Sequence, residues 1–229
     1  MRTLDSTPVP PVNVGQVLQN AAVFNFSRHR DRQSFMNTAN IPKEAEEFFN
    51  LLEERRVAYL LVGAVALLAH VPGRNTEDID LVISLSEQER LAPEVAVLER
   101  DSFFARAQFR TLRVDFLGSE NPLFSEVAEK YSTTRSFAFL SAKRAIPCAT
   151  PEGLMLLKLY ALPSLYRQGQ IQRANLYEGD IGALLAAFPQ MDLEALFTVL
   201  RGHSMLDSDV EELRRLVVEQ RPRPDRFAE

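Results

Sequence analysis

Apolar residues along the chain change their spacing repeatedly, and each change marks an element. Across residues 43–56 they recur at helical spacing, with Ala45, Phe48, Phe49 and Leu52 on one face. Pro42 suits a helix start, and Arg55 and Arg56 suit the negative end of its dipole. An unbroken apolar run at 57–62 reads as a buried strand that stops at Gly63. A short apolar helix follows at 64–70, then a turn at 71–77 containing Pro72, Gly73 and Asn75. Residues 78–83 alternate as a strand should, and 103–109 and 112–117 read as two strands joined by a tight turn at Arg110-Thr111. Between them, 87–100 reads as a helix, with Ser86 and Glu89 as a capping box and Pro93 as a kink.

After residue 118 the order reverses, from strands to helices. A loop at 118–122 leads to a short helix at 123–130 and short strands at 136–140 and 143–146. Thr150 and Pro151 then open a strongly apolar helix as N-cap and first residue. Three further helices are expected at 181–188, 191–200 and 208–220, the last with an apolar stripe of Leu213, Leu216 and Val217. Before all of this, 14–24 can form a short helix behind an irregular start at Pro8, Pro10 and Pro11. The pattern predicts an α/β (α+β) fold: a small mixed sheet flanked by helices, followed by a helical C-terminal region. Its expected divisions are an N-terminal extension at 1–42, an α/β core at 43–148 and a helical region at 149–229.

Three acids stand out on this frame. Side chains alternate along a strand, so Asp78 and Asp80 share one face, with Ile79 and Leu81 on the other. If the strand carrying Asp115 lies beside theirs, three carboxylates converge. Such a cluster repels itself unless a cation is present. An oxygen-only ligand set suits Mg²⁺ or Mn²⁺. An Asp-x-Asp at a strand end is also what a solvated edge carries, so the context decides. Here a strand breaks at Gly63 into a helix, an arrangement that offers backbone N–H groups to an anion. Arg74 and Thr76 precede the acids and can hold phosphate oxygens.

The chain therefore resembles nucleotidyltransferases of the DNA-polymerase-β-like superfamily. These carry an apolar residue, then Gly-[Gly/Ser], a spacer, Asp-h-[Asp/Glu]-h, and later h-[Asp/Glu]-h, where h is apolar. This sequence reads Val62-Gly63-Ala64, then Asp78-Ile79-Asp80-Leu81, then Val114-Asp115-Phe116. The Arg74-x-Thr76-x-Asp78-x-Asp80 run is most similar to the minimal and AbiEii-type toxin branches. The resemblance spans roughly residues 44–187. It implies that Asp78, Asp80 and Asp115 bind the metal and that Gly63, Ala64, Arg74 and Thr76 meet the nucleotide. It also implies that Lys158, in Leu154-Met155-Leu156-Leu157-Lys158-Leu159-Tyr160-Ala161, reaches the phosphates. Asp180 takes the position of an acid that orients that lysine or acts as a base. The implied activity is transfer of a nucleoside monophosphate from an NTP to RNA or tRNA, a protein hydroxyl or a small antibiotic, the toxin branch favouring the first two and having an antitoxin as partner.

The residues themselves leave alternatives open. Ala64 stands where the family has Gly or Ser and has no hydroxyl, so a catalytically inactive nucleotide- or partner-binding member is the rival reading. A metal-dependent phosphatase or nuclease leaves Gly63 and Arg74-x-Thr76 unexplained. Lys158 can instead be a lysine snorkelling its head to water. Asp180 can simply start the helix at 181. Arg113 shares the face of Asp115 and suits either a phosphate or a neighbouring acid.

Composition narrows the classes further. The 229 residues carry a formal net charge of −5, which argues against a surface that grips nucleic acid broadly. A basic cluster at 27–32 reads as a solvated linker or as an arm to RNA or a partner. Arg167 and Arg173 favour a polyanionic second substrate. The longest apolar run, 57–71, is too short to span a membrane. The N-terminus lacks the apolar core of a signal peptide. A single cysteine, Cys148, allows no internal disulfide and fits a reducing cytoplasm. Three scattered histidines do not suggest a zinc site.

Overall fold

The structure, a computed structural model, describes residues 11–29 and 38–220, without the side chains of 24–29. Pro8 and Pro10, the side chains of the basic cluster at 27–32 and the tail at 221–229 lie outside the described residues. In chain order the elements are β1 (Val12–Asn13), α1 (Val14–His29), α2 (Ile41–Glu54), β2 (Leu60–Val62), α3 (Gly63–Leu68), β3 (Asp78–Ile83) and α4 (Leu85–Glu89). Then come β4 (Val95–Arg100), β5 (Phe104–Phe109), β6 (Leu112–Gly118), α5 (Pro122–Lys130), β7 (Ser132–Ala138) and β8 (Lys143–Ala149). The chain continues with α6 (Pro151–Arg167), α7 (Ile171–Ala187), α8 (Leu193–Gly202) and α9 (Asp207–Gln220).

The strands form one mixed sheet of eight in the order β1-β7-β8-β2-β3-β6-β5-β4. β3 and β6 run parallel, while β2 is antiparallel to β3 and β5 is antiparallel to β6. The fold is therefore mixed α/β, as the sequence pattern predicts. The sheet is larger than expected because two segments not read as strands join its edges. β1 pairs with β7 at one edge, and β4 pairs with β5 at the other.

β4 corrects the sequence reading. The helix expected over 87–100 ends at Glu89, and its N-cap is Ser84, whose hydroxyl accepts from the Glu87 N–H. Pro93 lacks a backbone donor and stops the helix rather than kinking it. Beyond it, Val95 lies opposite Phe109 and Ala96 opposite Gln108, so pairing on an edge outweighs helical spacing. α7 is a second correction. It begins at Ile171, ten residues before the expected start at 181, because Ala174, Ile181, Leu184 and Leu185 continue one buried stripe beneath polar outer residues.

The core justifies the strong helix signals. Phe48 of α2 packs on Phe109 at 5.5 Å between ring centroids, and Phe49 packs on Phe139 at 5.1 Å. Phe48 is fully buried, so Phe48→Ala would cost about 3–5 kcal/mol. α6 is apolar on most sides, with Leu154, Met155, Leu156, Leu159 and Leu162 all buried. A helix of that kind belongs inside a protein, and α7 and α8 pack along it. α9 completes the layer, burying Val210, Leu213 and Val217.

Candidate functional site

Strand register builds the floor of the site. In the parallel pair β3–β6, Asp80 lies opposite Asp115 and Asp78 lies opposite Arg113. The period of two then puts Asp78, Asp80 and Asp115 on one face. One carboxylate oxygen from each lies within 4.8 Å of the other two. The donor set is all oxygen, which suits a hard divalent cation and not zinc or copper.

The turn after β2 closes on this floor. Val62 pairs with Asp80, so the next residue, Gly63, sits directly beside that carboxylate. Gly63 has φ +65°, a conformation that L side chains rarely adopt, and a Cβ there would collide with the Asp80 carboxylate. The position thus demands glycine twice, for its dihedral and for its space. Ala64 follows in the first turn of α3, buried, with no side chain capping that turn.

Crowding tunes the acids. Burial, then Asp78 and Asp115, push the Asp80 acid up to about 8. Asp80 keeps part of its surface open, and that surface faces the cavity. Burial and Asp78 also raise Asp115, against the pull of Arg106. Each acid outside the centre has a holder. The Thr76 hydroxyl donates to Asp78 Oδ1. Arg106 Nε donates to Asp115 Oδ1 at 3.3 Å, while its other arm reaches Glu99 at 3.3 Å.

The opposite wall is mainly cationic and comes from two helices and a loop. Lys158 Nζ of α6 donates to Asp180 Oδ2 of α7 at 2.7 Å. Both side chains are buried, the lysine's 5% exposed, so it does not snorkel and Asp180 does not start a helix. Burial lowers the Lys158 pKa, and Asp180 opposes that shift. Arg74 reaches the same Asp180 oxygen at 3.6 Å. Among the described residues the buried Arg74 Nε has no hydrogen-bond partner. Arg113 pairs with Glu77 at 3.9 Å rather than with one of the three clustered acids.

Floor and wall enclose a polar cavity of about 350 Å³ lined by eight of the nine site residues expected from the sequence, Gly63, Ala64, Arg74, Thr76, Asp78, Asp80, Asp115 and Lys158, while the ninth, Asp180, pairs with Lys158 and Arg74. No protein-family profile matches the chain, and no curated protein matches its sequence. Solved structures do resemble it. The solution structure of the antibiotic-resistance factor ANT(2'')-Ia is 15% identical, covers 79% of this chain and 96% of its own, and has a TM-score of 0.49. A crystal structure of ANT(2'')-Ia in complex with adenylyl-2''-tobramycin is 13% identical over 71% of this chain and 96% of its own, with a TM-score of 0.42. An antigenic nucleotidyltransferase-like protein from Paracoccidioides brasiliensis is 14% identical over 96% of this chain and 100% of its own, with a TM-score of 0.43.

Two contributors escaped the sequence reading. Arg106 is one, although its signal was there: a turn at Arg110-Thr111 pairs Phe109 with Leu112 and hence Arg106 with Asp115. The other is Tyr177, whose ring centroid lies 4.6 Å from Lys158 Nζ. Its place became legible only once α7 was known to start at Ile171. Among the described residues no helix is long and apolar enough to cross a membrane.

Proposed function

We propose that this chain is a metal-dependent nucleotidyltransferase. It moves a nucleoside monophosphate from an NTP to an acceptor hydroxyl and releases pyrophosphate. The observation that carries this is the convergence of Asp78, Asp80 and Asp115 beside a glycine whose missing side chain keeps the cavity floor open. The three acids would hold Mg²⁺ or Mn²⁺. When bound, such an ion neutralises the acids and stabilises charge on the attacking and leaving oxygens.

The chain's own groups do the rest. Gly63 and the Ala64 N–H leave room and a donor for a phosphate oxygen. Arg74, with an unspent Nε, and Lys158 supply positive charge to the phosphates, and Asp180 holds both cations in place. Thr76 fixes the rotamer of Asp78. Asp115 accepts the acceptor hydroxyl's proton as the new P–O bond forms and the bond to pyrophosphate breaks. Chemistry of this kind is mostly positioning and charge stabilisation, which this set of residue types provides. The family resemblance supports RNA, tRNA or a protein hydroxyl as acceptor, acting in the cytoplasm, with an antitoxin as a protein partner.

A non-catalytic nucleotide-binding protein is the second reading. It is favoured by Ala64, which offers no hydroxyl, and by Arg106, which already occupies Asp115. One experiment separates the two. Purified protein with Mg²⁺ or Mn²⁺ is incubated with each α-labelled NTP, with and without total tRNA, beside Asp80→Ala. Label on RNA or protein that disappears in the variant establishes transfer. Metal-dependent NTP binding with no label transferred to RNA or protein supports the second reading.

A further inference from the structure

The polar cavity does not end at its helical wall. A second cavity of about 610 Å³ adjoins it, walled by Phe103, Phe104, Phe124 and Tyr160, with Asn121 and Ser164 as neutral polar groups and Glu99 and Asp101 as acids. The two share a boundary formed by Gly63, Asp80, Arg106, Lys158, Arg173 and Tyr177. Three cations therefore stand at the junction, and their partners differ. Lys158 is committed to Asp180 at 2.7 Å and Arg106 to Asp115 at 3.3 Å. Arg173 has no carboxylate within ion-pair distance among the described residues. Its close neighbour is the ring of Tyr177, 5.8 Å from guanidinium carbon to centroid.

That is an unusual place to leave a charge. Arg173 is half-buried, hydrogen-bonds the Tyr177 side chain and feels the Asp80 and Asp115 carboxylates, yet forms an ion pair with neither. The helix explains its aim. Arg173, Tyr177 and Asp180 fall at i, i+4 and i+7 of α7, on one face, and that face looks onto Lys158 and the junction. Tyr177 touches both cations, with its ring centroid 4.6 Å from Lys158 Nζ and 5.8 Å from the Arg173 guanidinium carbon. An arginine presents a planar fork of donors that matches two phosphate oxygens, which a lysine cannot do. The cavity on one side is polar and floored by three clustered acids, and the cavity on the other is walled by aromatic rings with amide and hydroxyl groups and the two acids Glu99 and Asp101. A nucleoside triphosphate has that same division between its phosphates and its base.

We propose that Arg173 grips a phosphate of the nucleotide at the junction of the two cavities, with the phosphate chain over the acids and the base in the aromatic cavity. This rests on the nucleotidyltransferase reading and adds a residue and an orientation to it. Binding is measured with Mg²⁺ by calorimetry, using ATP and inorganic triphosphate as probes. The proteins are wild type, Arg173→Gln, Arg173→Lys and Ala161→Trp, the last on the wall of the aromatic cavity. Melting temperature serves as the folding control.

Arg173→Gln is expected to weaken both probes by roughly tenfold to a hundredfold, the range for a charge-assisted hydrogen bond. Arg173→Lys keeps the charge without the fork and falls between. Ala161→Trp weakens ATP and leaves triphosphate unchanged. If Arg173→Gln binds both probes as tightly as wild type, the assignment of Arg173 is overturned while the nucleotidyltransferase reading stands. Loss confined to labelled tRNA binding would give Arg173 to the acceptor and overturn it equally. Wild type that binds neither probe would overturn both this proposal and the reading beneath it.

Discussion

The floor and the wall of the cavity carry opposite charge and solve opposite problems. The floor gathers Asp78, Asp80 and Asp115 on two parallel strands, and partial burial together with its two acidic neighbours raises the Asp80 acid to about 8. The wall gathers Lys158, Arg74 and Asp180 from two helices and a loop, and it is internally paired. Backbone pairing holds the floor's acids in a register that side-chain repulsion cannot change. The wall is held by the ion pairs themselves. The difference teaches which region is built to wait for a ligand. A floor that repels itself stores an affinity for cations, while a paired wall serves to hold shape until an anion arrives.

The largest effect expected from this contrast is on the floor. Asp80→Ala should lower nucleotide transfer on the order of a thousandfold, as loss of a central charge-stabilising group does. It should leave the fold intact, because register and not the carboxylate holds β3. Circular dichroism beside the labelled-NTP assay checks both halves. The wall should behave the other way round. Asp180→Asn strands Lys158 as a buried, unpaired ammonium and should cost about 3 kcal/mol or more of stability. Urea unfolding measures this. A variant as stable as wild type would mean that the wall is not held by its ion pair.

The same contrast governs how far the sequence could be read. The floor was legible because strand periodicity is local: Asp78-Ile79-Asp80 announces its own face, and a hairpin turn at Arg110-Thr111 fixes what lies opposite Asp115. The wall was half legible. Lys158 was visible as a polar residue in an apolar helix, but its burial depended on α7 docking across it. α7 itself was misread for ten residues because its outer face is polar enough to look like a loop. β4 was lost for a related reason. Its partner β5 supplies the information, and an exposed edge strand such as Val97-Leu98 shows no inward alternation of its own.

Gly63 joins the two regions, and a smaller effect should follow from filling it. Gly63→Ala places a methyl group against Asp80 in a backbone conformation that costs roughly 1–3 kcal/mol for a non-glycine residue. Stability should fall by about that amount, and metal binding should weaken because Asp80 must move aside. Ala64→Gly, one residue on, meets neither constraint. Titration of the two variants with Mn²⁺ compares them directly. Equal affinities would show that the turn does not control the floor.

The smallest effect is a trend with pH, and it tests the origin of the contrast. Asp80 is raised in the folded protein to about 8 from an ordinary carboxylate value. Between those values the folded state keeps a proton that the unfolded chain has released, so stability must fall as pH rises. Asp115 is raised and acts in the same direction. His70 is lowered by burial, and its contribution rises with pH up to its unfolded value near 6.5. The clean window for the acids therefore lies from about pH 6.5 to 8. Lys158, lowered by burial, begins to work the other way at the alkaline end, and a variant that keeps Lys158 controls for it. Without divalent ions, wild type should lose on the order of 1 kcal/mol across the window, and Asp80→Asn should lose less. Added Mg²⁺ or Mn²⁺ should flatten the wild-type curve and not the variant's, because a cation replaces the proton that the crowded floor otherwise needs. Parallel curves for the two proteins would mean that Asp80 is ionised at ordinary cost, and the floor would then hold no stored preference for a metal.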